Sequence, residues 1–186
     1  MADVEARRFS PIYLLAGDEG YFIDALADKL STTILNEAER SFNQITVYGL
    51  DSNVGNVVNL CRQMPMMGAY EVIIVREAQQ LAKIENLVHY TSSPQATTIL
   101  VICYKNKEQG RGIDKRTAFY KSCVRNGRVF ESVRPRDYEV DTWLTGYISN
   151  SGFKINAKAL AMLKEHVGMD VARMAREIDK LAVSMA

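Results

Sequence analysis

The chain has 186 residues, with 23 Lys and Arg against 22 Asp and Glu, a formal net charge of +1 and 47% hydrophobic residues. That length fits one large domain, or an ordinary domain with a small companion, at roughly 100–200 residues per domain. The longest apolar run, Ile99 to Tyr104, is far short of the roughly 18–20 residues of a membrane span, and Met1 to Arg8 carries Asp3 and Glu5 in place of an apolar signal segment, so a cytoplasmic protein is expected.

In chain order, Ile12 to Ala16 reads as a buried strand closed by the turn Gly17-Asp18-Glu19-Gly20. Phe22, Leu26, Leu30 and Ile34 recur every fourth position and predict one helix from Tyr21 to about Ala38. Ile45 to Tyr48 is the next strand, entered through Phe42. Asp51 or Ser52 caps a helix carrying Val54, Val57, Val58 and Cys61 on one face, stopped by Pro65. Val72-Ile73-Ile74-Val75 is β-branched throughout and suits a central parallel strand. A short helix around Ile84 to Tyr90 leads to the strand Thr98 to Cys103; Asp114 caps a helix to about Asn126; and Val129 to Val133 forms a fifth strand. Alternating strands and helices predict an α/β parallel sheet with right-handed crossovers.

Past Arg134-Pro135-Arg136 only helical spacing remains, with Val140, Trp143, Leu144 and Tyr147, then Leu160, Leu163 and Val167, then Val171, Met174, Ile178 and Leu181. These predict a small three-helix domain with turns at Gly152 and Gly168. The last helix carries no stop signal, which suits a piece of a longer chain.

A sheet followed by a helical domain is a common layout of nucleotide-binding proteins. A phosphate-binding loop needs glycines, a Lys to neutralise phosphate and a hydroxyl for magnesium. Gly17-Asp18-Glu19-Gly20 stands at that place with two acids and no Lys before Lys29. The strand that should end in an acid pair is followed by Arg76-Glu77, which puts a cation where a metal ligand belongs. Asn106, Arg173 and Arg176, at sensor-like positions, cannot replace these groups. His89 and His166 lack a second ligand at helical or strand spacing. Cys61, Cys103 and Cys123 suit buried positions in place of a disulfide framework or a nucleophile. No cofactor and no metal are expected.

Two other features attract a functional reading. Three of the eight methionines fall in Met64-Pro65-Met66-Met67-Gly68, where Pro65 and Gly68 bracket a flexible apolar pair that fits either a partner's pocket or the interior of its own domain. From Lys105 to Arg136 there are ten basic and three acidic residues, a local +7 that leaves −6 elsewhere. Lys115, Arg116, Lys121 and Arg125 in that sector suit contact with DNA or a neighbouring subunit, or an ordinary solvated face.

Four motifs in order make the chain resemble the delta subunit family of the bacterial DNA polymerase III clamp loader. They are Pro11-Ile12-Tyr13-Leu14-Leu15-Ala16-Gly17-Asp18; Met64-Pro65-Met66-Met67-Gly68 before Val72 to Val75; Asp114-Lys115-Arg116 before a helix; and Gly168-Met169-Asp170 with Glu177-Ile178-Asp179-Lys180-Leu181. The resemblance implies an AAA+ fold, with residues 1–135 as a degenerate α/β domain, residues 136–186 as a helical lid, and a C-terminal collar domain absent from this chain. It implies a subunit that binds the ring-shaped sliding clamp, the beta subunit, and helps open it for loading on primed DNA without hydrolysing ATP, within a complex that is a DNA-directed DNA polymerase. Its other partners would be the delta prime and gamma/tau subunits, with no membrane. Met66 and Met67 match the hydrophobic pair that the family inserts into the clamp, usually Leu or Phe, and Pro65 and Gly68 shape the loop. Gly17, Asp18, Glu19, Gly20, Arg76 and Glu77 are then the remnants of a nucleotide site. The alternatives are a weak nucleotide hydrolase and a nucleic-acid-binding module.

Overall fold

Three stretches, around Leu14, Ile73 and Leu100, are apolar at consecutive positions, and such strands are stable where helices cover both faces of a sheet. The computed structural model, which describes residues 7–106, 112–152 and 154–185, has that arrangement. Strands β1 (Ile12–Gly17), β2 (Gln44–Tyr48), β3 (Glu71–Arg76), β4 (Thr98–Lys105) and β5 (Arg128–Ser132) form a parallel sheet in the order β2-β3-β4-β1-β5. Leu14 lies opposite Ile102 on one side and Val129 on the other, and Ile73 lies opposite Leu100 and Ile45.

The two-residue period of a strand sends alternate side chains to opposite faces. Leu14, Ile73, Val75, Leu100 and Ile102 pack with Val57 and Cys61 of α3 (Val54–Cys61), with Leu87, next to the short α4 (Val88–Thr91), and with Phe119 and Cys123 of α5 (Ala118–Asn126). Leu15, Val72, Ile74, Ile99 and Val101 pack on the other face with Ile23, Ala27 and Leu30 of α1 (Gly20–Thr33). Because all strands run the same way, the turns that leave β1, β3, β4 and β5 gather at one edge of the sheet. That is the edge where open α/β folds usually hold ligands.

The single helix expected from Tyr21 to Ala38 is two. α1 stops at Thr33, and α2 (Glu37–Asn43) starts afresh from Asn36. Asn36 Oδ1 accepts the Glu39 N–H at 2.9 Å while the Glu39 carboxylate accepts the Asn36 N–H at 3.0 Å, a reciprocal cap that outweighs continuation of the helix. The buried stripe of α1 runs through Ile23, Ala27 and Leu30, with Phe22 and Leu26 half-buried at its margin. Asn53, and not Asp51 or Ser52, caps α3, which ends at Cys61, short of Pro65. Thr117 caps α5, three residues after Asp114. The two 3-10 turns Ala78–Gln80 and Ile84–Leu87 fill the connection between β3 and α4.

By internal contacts the chain divides into the units Met1–Val133 and Arg134–Ala186. The second holds α6 (Asp137–Asn150), α7 (Ala157–Val167) and α8 (Val171–Met185), with Val140, Leu144, Ile148, Val167, Met174 and Ile178 buried. Its stripe ends at Ile178, and Leu181 is exposed. Asn156 Oδ1 and Asp170 Oδ1 cap α7 and α8 by accepting the N–H groups of Ala159 and Arg173 at 2.8 and 2.9 Å. Among the described residues no helix is long and apolar enough to cross a membrane.

Leu100 sits in the third of five strands with 0% exposure. Leu100→Ala is expected to lower the stability of the first unit by about 2–5 kcal/mol, measured by urea unfolding.

Candidate functional site

At the C-terminal edge of the sheet, β1 passes into α1 through Gly17 to Gly20. Gly17 has φ +148, and a Cβ there would overlap the backbone carbonyl of Ser132. This close approach lets the Asp18 N–H donate to the Ser132 carbonyl at 2.7 Å, and Ser132 Oγ donates back to the Glu19 carbonyl at 2.7 Å. The Glu19 carboxylate accepts the Tyr21 N–H at 3.1 Å and so caps α1. Asn106 closes the other side: its N–H donates to the Gly17 carbonyl and its Nδ2 to Asp18 Oδ1, both at 2.8 Å. The Asp18 and Tyr21 amides, of the kind a phosphate loop turns toward phosphates, are thus taken by protein acceptors. The cavity beside them, bounded by Asp18, Asn106, Lys115 and Glu131, measures about 230 Å³. Small-molecule sites usually run from about 300 Å³ upward.

At the ends of β3 and β4, Arg76 pairs with Asp24 at 3.4 Å and with Asp28, while Lys105 Nζ pairs with Asp24 at 2.9 Å and Glu77 at 2.7 Å. Gln79 supports both sides, accepting the Lys105 N–H at 3.0 Å and donating to the Glu77 carboxylate. Burial opposes the charge on Lys105 and on Glu77, yet their mutual hydrogen bond and the surrounding opposite charges prevail. The Lys105 pKa is raised and the Glu77 pKa lowered. Burial likewise opposes the charge on Arg76, and its hydrogen bond and ion pairs to Asp28 and Asp24 reverse that effect. Thus Arg76 and Glu77, expected as remnants of a nucleotide site, are members of an ion network with Asp24, Asp28 and Lys105.

Residues between α3 and β3, which enter β3 at the opposite edge of the sheet, form a second candidate site. Met66 is 81% exposed, Met67 47% and Met64 67%, while Pro65 is half-buried. Their backbone is held by Asn43, at the end of α2 and wholly buried. Asn43 Oδ1 accepts the N–H groups of Met66 at 2.9 Å and Met67 at 3.2 Å, and Asn43 Nδ2 donates to the Met67 carbonyl. Gly68 has φ +75, and a Cβ there would collide with the Glu39 carboxylate. Sequence reasoning missed Asn43; the signal was an amide where the chain enters an apolar strand, between Phe42 and Gln44.

In the basic sector, Lys115 pairs with Glu131, and Arg116 makes two bonds to Asp114 at 3.0 and 2.9 Å. Lys121 and Arg125 are exposed on α5. Lys107, Glu108 and Arg111 lie outside the described residues. Among described residues no group of three or more His, Cys, Asp and Glu is placed to hold a metal. Cys61, Cys103 and Cys123 are free and buried, and burial pushes each thiol up to about 12. His89, His166, Arg173 and Arg176 are exposed on their helices. A separate apolar groove of about 560 Å³ runs beside α1, between Phe22 and Leu26 and Phe130 of β5, and none of the expected site residues lines it.

Residues 13–130 match the family model described as DNA polymerase III, delta subunit. The chain belongs to the DNA polymerase III delta subunit family. Its fold is similar to that of the Bacillus subtilis DNA clamp loader delta protein, with a TM-score of 0.70, 16% identity, and coverage of all of this chain and 56% of the other. A RuvB mutant of Thermotoga maritima follows with a TM-score of 0.58, 16% identity and coverage of 100% and 60%. At such identities the likeness concerns the fold, an AAA+-like parallel sheet followed by a helical unit. The chain spans little more than half of the clamp loader protein it matches. No curated protein sequence is significantly similar to it.

The ion network of this delta-family chain makes its stability pH-dependent. The folded Glu77 pKa lies below the unfolded value, so its contribution is present above the ordinary carboxylate range and is lost as pH falls through the depressed value. The raised Lys105 pKa keeps that residue's contribution intact below its ordinary value of 10.5. Glu77→Gln is expected to cost about 0.5–1 kcal/mol at pH 7, the range of a partly exposed pair. Urea unfolding at descending pH should show the gap between variant and parent closing in acid.

Proposed function

We propose that this chain is the part of a bacterial clamp-loader subunit that binds the sliding clamp and helps open it for loading on primed DNA, with no ATP hydrolysis of its own. Family membership supports the clamp-loader role. The observation that carries the clamp contact is Met66, 81% exposed on a loop fixed to the body of the domain through the Met66 and Met67 bonds to Asn43. Burying such a side chain in a partner contributes about 1.5–3 kcal/mol, so Met66 with the half-exposed Met67 anchors a contact of micromolar class after association costs. Pro65 and Gly68 set the turn. Residues 1–135 act as the clamp-binding domain and residues 136–186 as its lid. The delta prime and gamma/tau subunits are the partners in the assembly. Lys121 and Arg125 remain for DNA or subunit contact, since Lys115 and Arg116 have acidic neighbours.

The absence of catalysis rests on the strand-end edge. Three carboxylates, on Asp24, Asp28 and Glu77, face two cations there, and Asp18 stands where phosphate would approach. A triphosphate meets net negative charge and amides already bonded.

Met66→Ala/Met67→Ala should weaken binding to the sliding clamp of the same organism by about 100-fold or more, measured by surface plasmon resonance. Unchanged affinity would remove the loop from the interface. Calorimetric titration with magnesium ATP should show no saturable binding at micromolar concentration; a saturable isotherm would favour the hydrolase reading.

A further inference from the structure

We infer that Asn43 is a positioning residue that presets the Met66-Met67 loop before the clamp arrives, an inference resting on the proposal that this loop is the clamp contact. A neutral amide has one acceptor oxygen and two donor hydrogens. Here the oxygen takes two consecutive backbone N–H groups, of Met66 and Met67, and the nitrogen returns to the Met67 carbonyl. Consecutive N–H groups converging on one atom curl the chain around the Asn43 amide and leave the side chains to point away from it. Met66 stands 81% exposed on that curl.

The anchor is itself well founded. Asn43 is 0% exposed at the junction of α2 and β2, so its amide cannot exchange these bonds for water. α2 also supplies Glu39, whose carboxylate caps the helix and lies against Gly68. One seven-residue helix therefore holds the loop at Met66 and Met67 and places the Glu39 carboxylate beside Gly68. Without the amide the loop must be ordered during binding, and fixing two more residues costs roughly a factor of 10–100 in affinity.

The test compares Asn43→Ala, Asn43→Asp, which keeps an acceptor for both N–H groups, and Leu100→Ala, a control destabilised in the core of the sheet. Affinity for the organism's sliding clamp is measured with hydrogen exchange at the Met66 and Met67 amides of the free chain. Asn43→Ala should bind about 10- to 100-fold more weakly and exchange faster at both amides, Asn43→Asp should fall between it and the parent, and folded Leu100→Ala should bind like the parent. Parent-like affinity or exchange in Asn43→Ala overturns the inference, as does an equal loss in Leu100→Ala. If the parent itself fails to bind clamp, the proposed function falls, while the exchange rates still decide whether Asn43 fixes the loop.

Discussion

The middle strands of the sheet have no polar face. Leu14, Leu15, Ile73, Ile74, Leu100 and Val101 alternate between two faces and are all almost completely buried. A strand of this kind cannot lie against water on either side, so α1 must cover one face while α3 and α5 cover the other. Helices inserted between parallel strands impose crossovers of one hand, and with them the collection of strand-end turns at a single edge. The strand-end features of the first unit follow from that burial: the Gly17 turn, the Arg76 and Lys105 network and the closing contact of Ser132 all stand where open α/β folds usually hold ligands.

At that edge the donors and cations are engaged within the unit. A nucleotide site keeps donors and cations uncommitted until the ligand arrives. Here the Asp18 amide, the Tyr21 amide, Arg76 and Lys105 each have a partner within the unit. The ion pairs are partly exposed, so each adds little stability, on the order of 1 kcal/mol or less. Their larger effect is on geometry, since they tie the ends of β3 and β4 to α1.

Apolar chemistry takes over at the Met66-Met67 loop. Its geometry depends on polar bonds that are themselves shielded from water: Asn43 costs desolvation and recovers it through three hydrogen bonds to the loop backbone. A buried amide thus presents two uncharged side chains, a division of labour that net charge does not reveal.

The periodicities of the sequence determined the five parallel strands, the change to helices beyond Arg134 and the loss of the nucleotide motifs, because those signals lie in neighbouring residues and in which side chains are present. The break between α1 and α2 was hidden because Ile34 and Leu35 continue an apolar pattern, while the reciprocal bonds of Asn36 and Glu39 stop the helix. Sequence also placed Met66 and Met67 between Pro65 and Gly68 but left open whether they pack inward or outward. Only the tertiary structure decided that, by bringing Asn43 to a loop more than twenty residues away and Arg76 to Asp24 and Asp28 across about fifty. Hydrogen bonds and ion pairs over such separations have no period and no local composition. They exist once burial of the sheet has fixed which ends of which elements meet.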